Sequence, residues 1–179
     1  DKELKLHQNI GKQFNKTKII KDLLPQSVTE ISNPLEKSKA IYEFMLKQFA
    51  WNKKHNLFKK VSLKEVIKNK SGRASELNIL LFNILKANGI NVKPVLLSTR
   101  KNGVVTKLYP VISDFNYLVV QVSINKKTYL LDLTDKYLTF GQLPFKCLNY
   151  YGRLLDFKNG SKWLDIAEDK VSTIQHQKV

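Results

Sequence analysis

Few residues in this chain have side chains suited to nucleophilic, acid–base or metal chemistry, and their spacing restricts what they can do. One cysteine, Cys147, and three histidines, His7, His55 and His176, are spread over 179 residues. A single thiol rules out an intrachain disulfide, and one Cys with three scattered His cannot furnish two zinc-type clusters, so no metal or cofactor is expected. Cys147 falls in a late loop region and follows no helix start, which reads as a buried structural thiol. Asp132 stands between Leu131 and Leu133. A carboxylate flanked by core residues needs a partner when buried. The Tyr117 hydroxyl, a backbone amide or a lysine would serve. Tyr117 itself is a poor base, with an ordinary pKa of about 10; taken alone it reads as a half-buried packing aromatic with a satisfied hydroxyl.

The elements that must position these groups fall into two halves. Residues 1–32 are polar, with Phe14, Ile19, Ile20, Leu23 and Leu24 predicting a short helix that ends near Pro25. Asn33-Pro34-Leu35-Glu36 then supplies an N-cap, a first-turn proline and an acidic third position. Ala40, Ile41, Phe44, Met45 and Phe49 follow at helical spacing, predicting a helix over residues 34–49. Residues 52–60 read as a basic loop, and Leu63, Val66 and Ile67 as a short helix. Residues 71–90 open with polar residues, continue as an apolar run and stop at Gly89, which reads as a central helix. Beyond it the period changes. Residues 92–99, 117–124 and 128–133 predict strands, with turns at Lys101-Asn102-Gly103 and Asn125-Lys126-Lys127. Residues 136–160 read as ordered loop with short strands, residues 163–166 as a last strand, and the tail from 168 as frayed. Helices first and an antiparallel meander second make an α+β domain with helices packed on one face of the sheet.

The central segment carries a further pattern. Gly72, Ala74 and the Gly89-Ile90 pair stand at the spacings of the central helix of the transglutaminase-like superfamily of papain-like cysteine proteases, and the chain resembles that superfamily over about residues 33–166. The resemblance also rests on residues 36–42, on Phe49-Ala50-Trp51-Asn52, on residues 94–100, on Asp114-Phe115-Asn116-Tyr117, on residues 129–135 and on Phe140-Gly141-Gln142-Leu143-Pro144. It is closest to a Bacteroidetes-type branch in which this core lies inside a larger exported protein. The resemblance therefore implies a single domain over residues 1–179 that is a piece of a multidomain protein, and suggests a periplasmic or extracellular setting.

Active members use a Cys at the helix start, a His on a neighbouring strand and an Asp on the next. The helix N-terminus lowers the thiol pKa, the imidazole moves the proton and the carboxylate orients the ring. By the resemblance, Ala74 occupies the Cys position, Tyr117 the His position and Asp132 the Asp position. One of three groups remains, and the triad is degenerate. Outside the resemblance Ala74 is only a small residue that packs well. Trp51 and Ser75 are the expected cleft residues. Trp51 matches an aromatic of the family cleft and reads equally as core packing. Ser75 neighbours the lost position, but one step along a helix turns its hydroxyl by about 100°.

The 31 Lys and Arg against 15 Asp and Glu give a net charge of +16. Lysines are scattered along every segment rather than gathered in a stripe with arginines and aromatics, so nonspecific, salt-dependent attraction to anions is expected and specific nucleic-acid binding is not. No apolar run reaches the roughly 18 residues of a membrane span. The first residues, Asp1-Lys2-Glu3-Leu4, do not form a signal peptide. Together these features favour a catalytically inactive transglutaminase-like domain that binds a peptide or protein or acts as a spacer. The rival readings are a cysteine-protease-like hydrolase or acyl transferase with a non-standard nucleophile, and a charge-driven nucleic-acid binder.

Overall fold

The computed structural model describes residues 1–20, 22–108 and 111–166. Among the described residues, five α-helices precede or flank a five-stranded antiparallel sheet. The first two helices are short, α1 (Lys2–Leu6) and α2 (Gln26–Thr29). The helix expected before Pro25 is instead two 3-10 turns, Gly11–Gln13 and Thr17–Ile20, and Pro25 begins α2 rather than ending a helix. A proline with preset φ suits a helix entrance.

Helix α3 (Pro34–Gln48) starts where local chemistry dictates. The Asn33 side chain accepts the Glu36 N–H at 3.0 Å, and Pro34 fills the first position. Its inner face buries Ile41, Tyr42, Met45 and Leu46. The chain then forms β1 (Ala50–Trp51), and after α4 (Leu63–Asn69) it returns as β2 (Ser71–Gly72), parallel to β1 with Trp51 opposite Gly72. Gly72 is a close approach. A Cβ there would come within 3.0 Å of Val66 Cγ2 and 3.2 Å of Glu76 Oε2.

Helix α5 (Ala74–Ala87) is the centre of the fold. Every residue from Ala74 to Leu85 is buried, the signature of a helix apolar nearly all round. At its start the Glu76 carboxylate accepts the Arg73 N–H at 2.9 Å and pairs with the Arg73 guanidinium at 3.2 Å. At its end Gly89 takes a φ of 79°, and the Ile90 N–H returns to the Leu85 carbonyl.

The sheet contains β3 (Asn91–Leu97), β4 (Tyr117–Ile124), β5 (Lys127–Leu131), β6 (Tyr151–Leu154) and β7 (Lys162–Asp165), in the order β5-β4-β3-β6-β7. β3, β4 and β5 form the expected meander. Asn125 and Lys126 both have positive φ, which closes the two-residue hairpin. β6 departs from the meander by pairing with the free side of β3, Val95 opposite Leu154. The alternation along β4 sorts the core into two faces. Leu118, Val120, Val122 and Ile124 pack toward the helices; Tyr117 and Val119 pack with Leu143, Cys147 and Leu148 of the connection between β5 and β6. The helices therefore cover one face, as expected, and an ordered loop covers the other. Residues 167–179, including the frayed tail expected from 168, lie outside the described residues. No helix among the described residues is long and apolar enough to cross a membrane.

Candidate functional site

The N-terminus of α5, the start of β4 and the segment after β5 meet at one place. Ala74 is the first residue of α5, and its backbone N–H donates to the Lys54 carbonyl at 3.1 Å. The same carbonyl accepts the Trp51 indole N–H at 2.9 Å. Lys54 thus ties the basic loop after β1 to the helix start. Tyr117 is the first residue of β4 and belongs to the same buried cluster as Ala74 and Cys147, with Trp51 packed against it.

Asp132 is fully buried. The sequence placed it on a strand with Leu133, but β5 ends at Leu131 and Asp132 is the first residue beyond it. The reason lies in its partners. The Asn78 amide donates to Asp132 Oδ1 at 2.6 Å and to the Leu118 carbonyl at 2.8 Å, while Asn78 Oδ1 accepts the Leu133 N–H at 2.9 Å. Helix α5 therefore takes the backbone group that a further strand partner would have used. Tyr117 Oη donates to Asp132 Oδ1 at 2.9 Å and also lies 2.9 Å from Thr134 Oγ1. The Thr134 hydroxyl and backbone N–H both donate to Asp132 Oδ2. The Tyr42 hydroxyl holds the Asp132 carbonyl at 3.1 Å. Four donors thus satisfy a carboxylate that would be costly to bury alone.

This network changes the acidity of its members. Burial first, and then the Asp132 carboxylate, hold the Tyr117 hydroxyl well above its ordinary pKa of 10. Cys147 lies in a 3-10 turn, Phe145–Cys147, and its side chain is buried in the same cluster as Tyr117. Burial and then Asp132 push that thiol well above its usual range. A thiol so placed is not a ready thiolate nucleophile.

Three groups near the site had no role in the sequence reading. His55 packs its ring against Trp51 (centroids 5.3 Å apart) and Tyr117 (5.6 Å). Its Nδ1 is buried without a hydrogen-bond partner among the described residues, and burial, then Lys146, lower its pKa. Lys146 is half-buried. Its ammonium donates to Thr134 Oγ1 at 3.3 Å and lies 3.8 Å from the Trp51 ring centroid and 5.1 Å from that of Tyr117. Burial is the leading cause of its lowered pKa. Asn78 carried a usable signal: it is a polar residue in an apolar run, one helical turn beyond Ala74. Nothing local marked His55 or Lys146.

Above this network lies an open cavity of about 620 Å³, lined by Trp51, Lys53, Thr134, Lys136, Tyr137 and Lys146 among others. Of the two residues expected to line a cleft, Trp51 does so. Ser75 does not, because its position one step past Ala74 turns it into the core; it is buried and its hydroxyl has no hydrogen-bond partner among the described residues. Among the described residues no three His, Cys, Asp or Glu side chains are grouped to hold a metal.

Comparison with solved structures returns the same architecture. The chain resembles a candidate protease from Parabacteroides distasonis (TM-score 0.56, 15% identity), over 93% of this chain and 30% of that one. It also resembles a chain of a Rad4–Rad23 complex bound to a 6-4 photoproduct UV lesion (TM-score 0.51, 13% identity), over 87% of this chain and 44% of that one. A candidate cysteine protease from Cytophaga hutchinsonii gives a TM-score of 0.48 at 13% identity, over 86% and 50%. The chain thus spans half or less of each of these proteins. A comparison with curated protein sequences finds no match. The model of the transglutaminase-like superfamily matches residues 21–131, more than half of the chain and inclusive of α3, α5, β3, β4 and β5; the chain belongs to the transglutaminase-like superfamily.

Proposed function

We propose that this domain is catalytically silent and works by binding a protein or peptide at the cavity beside Trp51. The observation that carries this reading is the occupancy of Asp132. In an active triad the carboxylate orients an imidazole. Here its side-chain oxygens accept from Asn78, Tyr117 and Thr134. Ala74 offers no nucleophile at the helix start, and Tyr117 offers no base, since its hydroxyl is held above an already high pKa. What the site retains is shape, aromatic surface and charge, which serve binding.

One observation favours a second reading, a hydrolase or acyl transferase with an unusual nucleophile. Cys147 belongs to the same buried cluster as Ala74 and Tyr117. Its burial and raised pKa argue against it. The test is turnover on peptide glutamine and ester substrates. We expect none above background, and no labelling of the native protein by a thiol-directed activity probe. Robust turnover abolished by Cys147→Ser would replace the binding reading with the enzymatic one.

A further inference from the structure

We infer that the cavity over Trp51 and Lys146 takes the carboxylate side chains of an acidic peptide segment, with the Lys146 ammonium as the anchoring contact. This rests on the binding reading above and names its ligand class.

The argument starts from an unpaired charge. Lys146 makes no ion pair among the described residues, although it is half-buried. A desolvated ammonium is costly without a counter-charge. Asp132 and Asp135 act on it through space, but neither forms an ion pair with it among the described residues, and the Thr134 hydroxyl stands between Lys146 and Asp132. What Lys146 has instead is one hydroxyl, Thr134, and the Trp51 ring face. Both hold the cation in place without neutralising it. A carboxylate entering the cavity would supply the missing partner as a charge-assisted hydrogen bond.

The surroundings support the same sign. Lys53 and Lys136 line the cavity and are likewise without an ion pair among the described residues. Asp135 is the one acidic residue of the lining, and its Oδ1 is engaged by the Tyr137 N–H at 3.0 Å. The exposed Tyr137 ring and the Trp51 ring give a peptide apolar surface between the charges. The volume suits a few side chains rather than a whole folded partner.

The same features disfavour a nucleic-acid strand. Single-stranded nucleic acids are held by bases stacked on open aromatic faces. The Trp51 ring already carries two ammonium groups, Lys146 at 3.8 Å and Lys53 at 5.0 Å, and its N–H is spent on the Lys54 carbonyl. A base would have to displace a cation to stack there, whereas a carboxylate binds the cation where it stands. No arginine fork lines the cavity to grip phosphate bidentately.

The experiment is a fluorescence-anisotropy titration of labelled hexaglutamate at physiological salt. The proteins compared are wild type, the cavity pair Lys53→Ala/Lys146→Met and a control pair Lys68→Ala/Lys126→Ala. Lys68 and Lys126 are exposed and outside the cavity lining, so both pairs remove two charges. Met keeps the Lys146 stem against Trp51, and circular dichroism verifies that each variant folds; Lys146→Arg, which keeps the charge, is carried alongside. We expect saturable one-site binding that weakens about tenfold or more in the cavity pair, changes little in the control pair and is largely kept by Lys146→Arg. Equal weakening in both pairs would reduce the effect to net charge and overturn the inference. So would tighter binding of oligothymidylate through the same lysines, or saturable binding of a neutral peptide in place of hexaglutamate. The last result would leave the binding reading standing, whereas thiol-dependent turnover would remove that reading whatever the peptide data show.

Discussion

Tyr117 Oη donates to Asp132 Oδ1 across 2.9 Å, which joins the first residue of β4 to the first residue beyond β5. The pair is fully buried, and it closes the corner of the sheet nearest the start of α5. Tyr117→Phe removes this donor and leaves the ring in place. We expect a loss of about 1.5–3 kcal/mol, the usual size for a hydrogen bond to a charged group. Chemical denaturation measures it, and an unchanged midpoint would mean that Thr134 and Asn78 satisfy the carboxylate by themselves.

Asn78 bridges three separate backbone or side-chain groups, Leu118, Asp132 and Leu133. Asn78→Ala takes this partner from the Leu118 carbonyl and the Leu133 N–H in the core and removes one of the four donors of Asp132. The expected loss is about 2–4 kcal/mol, larger than for Tyr117→Phe, because buried groups left without partners carry their full desolvation cost. A melting curve on the two variants side by side tests the order.

Asn33→Ala removes the side-chain cap from the Glu36 N–H at the start of α3. A loss of about 1 kcal/mol is expected. If the denaturation midpoint does not move, water caps that exposed end as well as Asn33 does.

His55 gives the domain a pH-dependent term of known sign. Burial, with Lys146 adding to it, holds the folded imidazole below its ordinary pKa of 6.5. As pH falls through 6.5, the unfolded chain takes up a proton that the folded ring refuses. Stability from His55 is therefore present above pH 6.5 and lost as pH falls toward the folded value. Denaturation at a series of pH values should show wild-type stability declining below pH 6.5 and a shallower decline in His55→Phe. Identical slopes would show that the ring titrates normally in the fold.

The proposed triad positions are open to restoration. In Ala74→Cys/Tyr117→His, a thiol at the start of α5 and an imidazole at the start of β4 would stand beside Asp132. A helix N-terminus and an adjacent imidazole lower a thiol pKa below its free value of about 8.5. The double variant should react with iodoacetamide faster near neutral pH than Ala74→Cys alone. Equal rates and equal pH profiles would show that residue 117 does not serve residue 74.

What could be read from the sequence was what neighbours in the chain decide. Asn33, Pro34 and Glu36 fix the start of α3 through contacts within one turn. The residue run of β4 and its hairpin at Asn125-Lys126 follow from alternation and from positive φ at two adjacent residues. The buried α5 follows from a mainly apolar run stopped by Gly89. Each of these depends on groups a few residues apart, so the local pattern is the physical cause. The placement of β6 beside β3 had no such signature, because that ladder is set by which strand edge remains unpaired after the meander forms. The same holds for the site. Asn78 and Asp132 are 54 residues apart, and Lys146 reaches Trp51 and Thr134 only after the connection between β5 and β6 has folded over the sheet. The demand for a partner was visible in Asp132, since a carboxylate between two leucines must be satisfied. The choice of Asn78, Tyr117 and Thr134 was made by packing, which alone determines the donors that lie within 3 Å or so of a buried oxygen.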